Sequence, residues 1–248
     1  MIGADKCFLA ATAAYSACLA AAFFPGRART LARIALAAGL AANGLAVALR
    51  YLQAWPMLPM YLGARALPLA LALVLAASRP LRRPPFVPAA ATIWVTACLA
   101  ALFPKDYYLP FVKSASWPAH LFFAFGTAGK ACFLASAAWA AAGLPPAKAG
   151  SRQSAQVIWW AVTGFGCWTL SMFSGELWSY RGWGVPVVWE DPAIVTFMAT
   201  WFFYVCLLHL HLTGTWSPRL RTVFAAAGGP LVLLLNFLPD LGPLRLPL

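Results

Sequence analysis

Apolar residues run along this chain in eight long stretches divided by short polar breaks. A helix needs about 20 apolar residues to cross a hydrocarbon core. The stretches at roughly 6–25, 30–52, 59–78, 86–103, 117–143, 155–177, 193–214 and 219–238 approach or reach that length. The third and fourth are the weakest, because Pro59, Pro68 and Pro88 trim or kink them. Proline inside a membrane span is tolerated better than in water. The pattern predicts an all-α polytopic integral membrane protein of about eight transmembrane helices, forming a single transmembrane domain over residues 1–248. The first run, about Cys7 to Phe24, reads as a span rather than a cleaved signal. No internal repeat is evident.

Composition strengthens this picture. The chain is 62% hydrophobic and 10% charged, with a mean hydropathy of +0.75. A soluble domain carries about 25% charged residues. A net charge of +12 would suggest nucleic acid in a soluble protein. Here the basic residues gather in loops between apolar runs, so the lipid bilayer is the expected partner and nucleic acid is not. The loops after spans one, three, five and seven hold Arg27, Arg29, Arg33, Arg79, Arg82, Arg83, Lys148, Arg152, Arg219 and Arg221. All six acids, Asp5, Asp106, Glu176, Glu190, Asp191 and Asp240, fall on the other side. Lys and Arg mark the cytoplasmic side, which predicts both termini outside. The six cysteines lie inside apolar runs with no CxxC pair, as small buried hydrophobes rather than disulfides or metal ligands.

The unusual residues collect on the predicted outer face. Its third loop, residues 178–192, reads "WSYRGWGVPVVWEDP". Aromatic belts at the interface are ordinary, but Trp178, Trp183 and Trp189 with Gly182, Gly184 and Pro186 describe a folded loop rather than helix ends. The tryptophans suggest a flat apolar shelf for a large planar ligand. The alternative is an amphipathic loop resting on headgroups.

"WGVPVVWEDP", followed by "TWFFYVCLLHLH", resembles the tryptophan-rich signature of the CcsA/CcmC cytochrome c assembly family. Upstream, "LRYLQAWPMLPMY" (Leu49–Tyr61) and "PFVKSASWPAH" (Pro110–His120) resemble two further motifs of its CcsA branch, in the same order. The resemblance implies a protein that binds haem, translocates it and presents it outside the membrane to apocytochrome c. It implies haem b as cofactor, a periplasmic cytochrome c synthesis subunit as partner, and the bacterial inner membrane as location. Residue by residue, it implies His120 as an outer axial ligand and His209 as an intramembrane histidine. Trp183, Gly184, Trp189, Asp191 and Pro192 match the loop, with Trp178 and Arg181 beside it. Several positions depart from the pattern. Asn43 stands where an intramembrane histidine is expected, Ala54 replaces a first-loop histidine, and "NFLPDLGPLRLPL" has no histidine after the last span. Valine 187 or 188 replaces the middle tryptophan. Of the expected ligands only His120 and His209 have counterparts, so the outer site would use His120 alone. Haem iron commonly takes one or two protein axial ligands.

The residues also have readings of their own. His120 opens the fifth span just after Trp117-Pro118, as a ligand or as an interfacial histidine. His209 and His211 lie two residues apart and point about 200° apart on a helix, so they cannot face one ligand. His209 shares a face with Cys206 and Val205. Lys130 falls midway along the fifth span, where a charge is costly and marks function by default. It is a candidate for a haem propionate, a partner subunit or a wet cavity. Arg50, Arg65 and Arg181 face outside, for propionates or for lipid phosphates. Asp191 caps the seventh helix with Pro192 at its first position. "GFG" at Gly164–Gly166 fits close helix packing better than phosphate binding.

Two functions follow. The first is haem handling as a possible subunit of a cytochrome c haem lyase, with the cofactor carrying the reactivity and no catalytic side chain. The second is a non-catalytic, divergent member that anchors or scaffolds a larger membrane complex. A transporter is a third and weaker reading.

Overall fold

A computed structural model describes residues 2–24, 26–59, 62–77, 86–102, 112–144 and 151–241. Among them all regular structure is helical. The order is α1 (Ile2–Ala22), α2 (Arg27–Ala54), α3 (Leu62–Ala77), α4 (Phe86–Leu102), a 3-10 turn (Val112–Ala115), α5 (Trp117–Ala142), α6 (Ser151–Trp183), α7 (Pro192–Thr213) and α8 (Pro218–Leu241). Each predicted stretch contains one helix. Five helices, α2, α5, α6, α7 and α8, are long and apolar enough to cross a membrane, so the chain is a polytopic helical membrane protein. The proline-bearing third and fourth stretches yield helices of 16 and 17 residues, below the roughly 20 that a full span needs. Arg79, Arg82, Arg83, Asp106 and Lys148 lie outside the described residues, as do the side chains of Arg152 and Asp240.

By its internal contacts the chain divides into two compact units, Met1–His120 and Leu121–Leu248. In the first, α1 lies along α2 and also touches α4, while α3 packs on α2 and α4. Small residues permit this approach. A Cβ at Gly39 would come within 2.6 Å of the Tyr15 ring, so glycine makes the slot that the buried tyrosine fills. The core of this unit also holds charge. Arg65, 8% exposed, pairs with Asp5 and sits 5.5 Å over the Phe8 ring. Its guanidinium is thus engaged within this unit, where the sequence suggested a propionate or a lipid phosphate as partner. Asn43 is fully buried. In the orientation its neighbours require, its amide donates to the Arg65 carbonyl at 3.0 Å and accepts from the Leu69 N–H at 3.2 Å. Pro68 lies between those two groups, inside α3. A helical proline disturbs the backbone ladder around it, and a neighbouring side chain can satisfy the groups it loosens. The position where the family resemblance expects a histidine thus has a structural occupant.

The second unit is built on aromatic stacking. Tyr204 of α7 stacks on Phe133 of α5 with centroids 3.5 Å apart, and Trp168 of α6 stacks on Phe197 of α7 at 3.7 Å. The Trp168 indole N–H donates to the Phe197 carbonyl at 3.2 Å. Glycine again sets the closest approach. A Cβ at Gly129 would lie 3.1 Å from the Trp168 backbone nitrogen and 3.2 Å from the Gly164 carbonyl oxygen. A Cβ at Gly164 would in turn lie 2.6 Å from the Phe133 ring, whereas one at Gly166 would meet nothing within 4 Å. The packing role of "GFG" therefore belongs to its first glycine.

Candidate functional site

The route to His120 begins in the turn after α2. Leu58 N–H donates to the Ser114 hydroxyl at 3.0 Å, and that hydroxyl lies 3.3 Å from the Leu58 carbonyl. Ser114, buried in the 3-10 turn, thereby ties the Trp55–Pro59 segment to the approach to α5. The result is a cage around one imidazole. His120 Nε2 lies 3.1 Å from the Pro56 carbonyl oxygen, and Nδ1 lies 2.8 Å from the Tyr51 hydroxyl. A carbonyl only accepts, so Nε2 carries the proton and Nδ1 accepts from Tyr51. The Trp55 ring sits 5.4 Å from the imidazole and Tyr51 packs on it edge-on at 5.7 Å. His120 is half-buried, while Trp55 and Trp117 are more than half exposed. Tyr51, Trp55 and Pro56 lie within the Leu49–Tyr61 motif, but the sequence assigns none of them a role. Tyr51 lies 69 residues before His120, and nothing local links them.

The tryptophan-rich segment belongs to the second unit, and its first six residues are helix rather than loop. α6 continues through Trp178, Arg181 and Trp183. It stops at Gly184, whose φ of +78° suits a glycine closing a helix, and whose N–H donates to the Tyr180 carbonyl at 2.9 Å. The chain then doubles back. The Ser179 hydroxyl donates to the Val185 carbonyl at 2.7 Å. At the far end Asp191 caps α7, its carboxylate accepting from Ala193 N–H at 2.9 Å, with Pro192 opening the helix. This is the cap expected from sequence, and it engages the carboxylate. Trp178 and Trp183 meet edge to face at 5.6 Å and 72°, so these two do not form the flat shelf that composition suggested. Trp178 also packs against Phe122 at 5.8 Å. Trp189 is 64% exposed, and Trp183, Val185 and Arg181 are exposed beside it. The loop proper is short, apolar and open.

The remaining candidates separate. The Lys130 ammonium lies 5.6 Å from the Trp168 ring centroid, within reach of a cation–π contact. His209 is exposed on α7, on the face of exposed Cys206. His211 turns the other way, with its Nδ1 3.5 Å from an Arg221 guanidinium nitrogen. Among the described residues no group of three or more His, Cys, Asp or Glu is placed to hold a metal ion. Haem needs no such cluster, only an axial ligand. The residues at His120 fit that need: a half-buried imidazole has one nitrogen oriented by a hydroxyl and the other held by a single carbonyl.

Known proteins resemble this chain in sequence and in fold. The family described as cytochrome C assembly protein matches residues 8–243. Curated relatives include the cytochrome c biogenesis protein CcsA of Prochlorococcus marinus (strain MIT 9515), 32% identical over 81 residues, which are 31% of this chain and 26% of that protein. CcsA of Microcystis aeruginosa is 27% identical over 124 residues, 49% of this chain and 38% of the relative. The matched regions thus span well under half the length of these relatives. The solved structure of the cytochrome c heme lyase CcmF superposes with a TM-score of 0.72 at 17% identity, over 99% of this chain and 48% of that one; this is a likeness of fold. With the family signature running over nearly its whole length, the chain belongs to the cytochrome c assembly protein family.

Proposed function

We propose that this protein handles haem during cytochrome c biogenesis, holding it at the outer face of a bacterial inner membrane and presenting it to apocytochrome c. The observation that carries the reading is the His120 cage in a chain of this family. His120 would hold haem b through Nε2, exchanging one carbonyl contact for the iron. The proton would then reside on Nδ1, where the Tyr51 oxygen accepts it. Such an outer partner fixes the ring and its tautomer. Bound haem supplies the vinyl groups that form thioethers with apocytochrome thiols. The chain's own residues bind and orient. Trp178, Trp183 and Trp189 offer apolar contact, Arg181 a guanidinium for a propionate, and Gly184 and Asp191 set the turn that carries them. Lys130 is a second propionate candidate. His209, exposed on its helix, is the candidate for haem passing through the membrane. The topology behind this reading has eight spans, with both termini and the tryptophan-rich loop outside. A periplasmic synthesis subunit completes the haem lyase.

A second reading draws on Asn43. Its buried structural role in place of a histidine suits a divergent member that scaffolds a larger complex. The visible spectrum of the full chain purified from haem-replete cells separates the two. Haem handling predicts a Soret band that His120→Ala largely removes. It also predicts that Tyr51→Phe weakens haem retention by about 10–100-fold, as loss of an outer-shell partner does. A colourless wild-type protein leaves the scaffold reading.

A further inference from the structure

A cavity of about 310 Å³ opens at one end of the second unit, among the end of α5, the start of α6, the end of α7 and the start of α8. Its polar wall holds a guanidinium, an imidazole and two hydroxyls, of which that of Thr222 donates to the Pro218 carbonyl at 2.9 Å. Arg221 and His211 line it with the hydroxyl residues Ser154 and Thr222, and none of the lining residues is acidic. The guanidinium only donates, so His211 Nδ1 accepts from it and the Nε2 position is left to donate. Arg221 Nε is buried and makes no hydrogen bond among the described residues. A buried donor of this kind favours an acceptor. Pro218, Arg221 and Thr222 belong to the first turns of α8, capped by Ser217, whose hydroxyl accepts from Leu220 N–H at 3.3 Å. The start of a helix favours negative charge. The rest of the wall is apolar, including Trp139, Val157 and Leu207. The volume lies at the lower end of ligand pockets, which run from about 300 to 1,000 Å³. It suits a compact anion with an apolar extension better than a large planar ring.

We propose that this cavity binds the phosphate of an anionic phospholipid, with Arg221 and His211 holding the oxyanion and the apolar wall receiving the start of its acyl region. The chemistry required is a phosphate oxyanion; a free phosphate is the competing source. The test uses the full chain in an uncharged detergent, titrated with phosphatidylglycerol, phosphatidylcholine or inorganic phosphate. Retained lipid is read by native mass spectrometry and stability by thermal unfolding. Phosphatidylglycerol should be retained and stabilising, and Arg221→Gln should weaken its apparent affinity by about tenfold. Ala225→Met narrows the cavity while leaving every polar lining residue in place and should also displace the lipid. This keeps the test decisive if Arg221→Gln folds poorly. Equal retention of phosphatidylcholine, or unchanged binding in both variants, overturns the site. Stabilisation by inorganic phosphate with no preference for phosphatidylglycerol overturns the lipid assignment and gives the site to a free anion.

Discussion

In the first unit the interior contains an ion pair and a buried amide; in the second it contains stacked rings. Arg65, Asp5 and Asn43 lie among α1, α2 and α3, and each is matched to a named partner. Around Phe133, Trp168, Phe197 and Tyr204 the contacts are face to face at 3.5–3.7 Å. There the ammonium of Lys130 lies over the Trp168 ring. The difference shows where each unit is vulnerable. A buried charge that loses its partner is strongly destabilising, so the first unit is sensitive to chemistry. A close-packed aromatic stack tolerates little added volume, so the second is sensitive to shape.

The largest effect should come from Asp5→Ala, which strips the carboxylate from a guanidinium only 8% exposed. The cost should be about 2–3 kcal/mol, at or below the usual range for a broken buried pair because Asp5 itself is 35% exposed. Nine of the twelve tryptophans follow residue 121. Circular dichroism during denaturant titration should therefore report the loss while the main tryptophan fluorescence transition stays in place. Coincident shifts of both signals would break the comparison by showing one cooperative structure.

Next is Gly129→Ala, whose new methyl would press on the Trp168 backbone and the Gly164 carbonyl. It should cost about 1–3 kcal/mol. Gly166→Ala, with nothing within 4 Å, should be neutral or gain up to about 1 kcal/mol from helix propensity. Equal midpoints for the two variants in thermal unfolding would sink the proposed close approach. The smallest stability effect belongs to Trp189→Ala. That side chain is 64% exposed, so the change should stay within about 0.5 kcal/mol while reducing the Soret absorbance if the loop contacts haem. Loss of stability without loss of absorbance would make the residue structural instead.

Hydropathy made the eight helices legible, because apolar run length is a local property. It missed the end of α6 because Trp178, Arg181, Gly182 and Trp183 have the composition of a loop. The helix continues until Gly184 takes a positive φ. The angle between His209 and His211 was legible from helical geometry. Which of them meets a cavity was not, since that depends on where α8 places Arg221. The engagement of Arg65 was not legible because its partner, Asp5, is 60 residues away.

By itself, then, the sequence determined an all-helical membrane protein, the cap at Asp191 and a family signature legible in short motifs. Each depends on neighbours in the chain: run length, a capping side chain, a motif. Only the tertiary structure decided that His120 is held between Tyr51 and Pro56, that Asn43 bridges the backbone around Pro68, and that His211 rather than His209 joins Arg221. These are matters of donors and acceptors brought within hydrogen-bond distance from remote positions, and packing alone determines which of them meet.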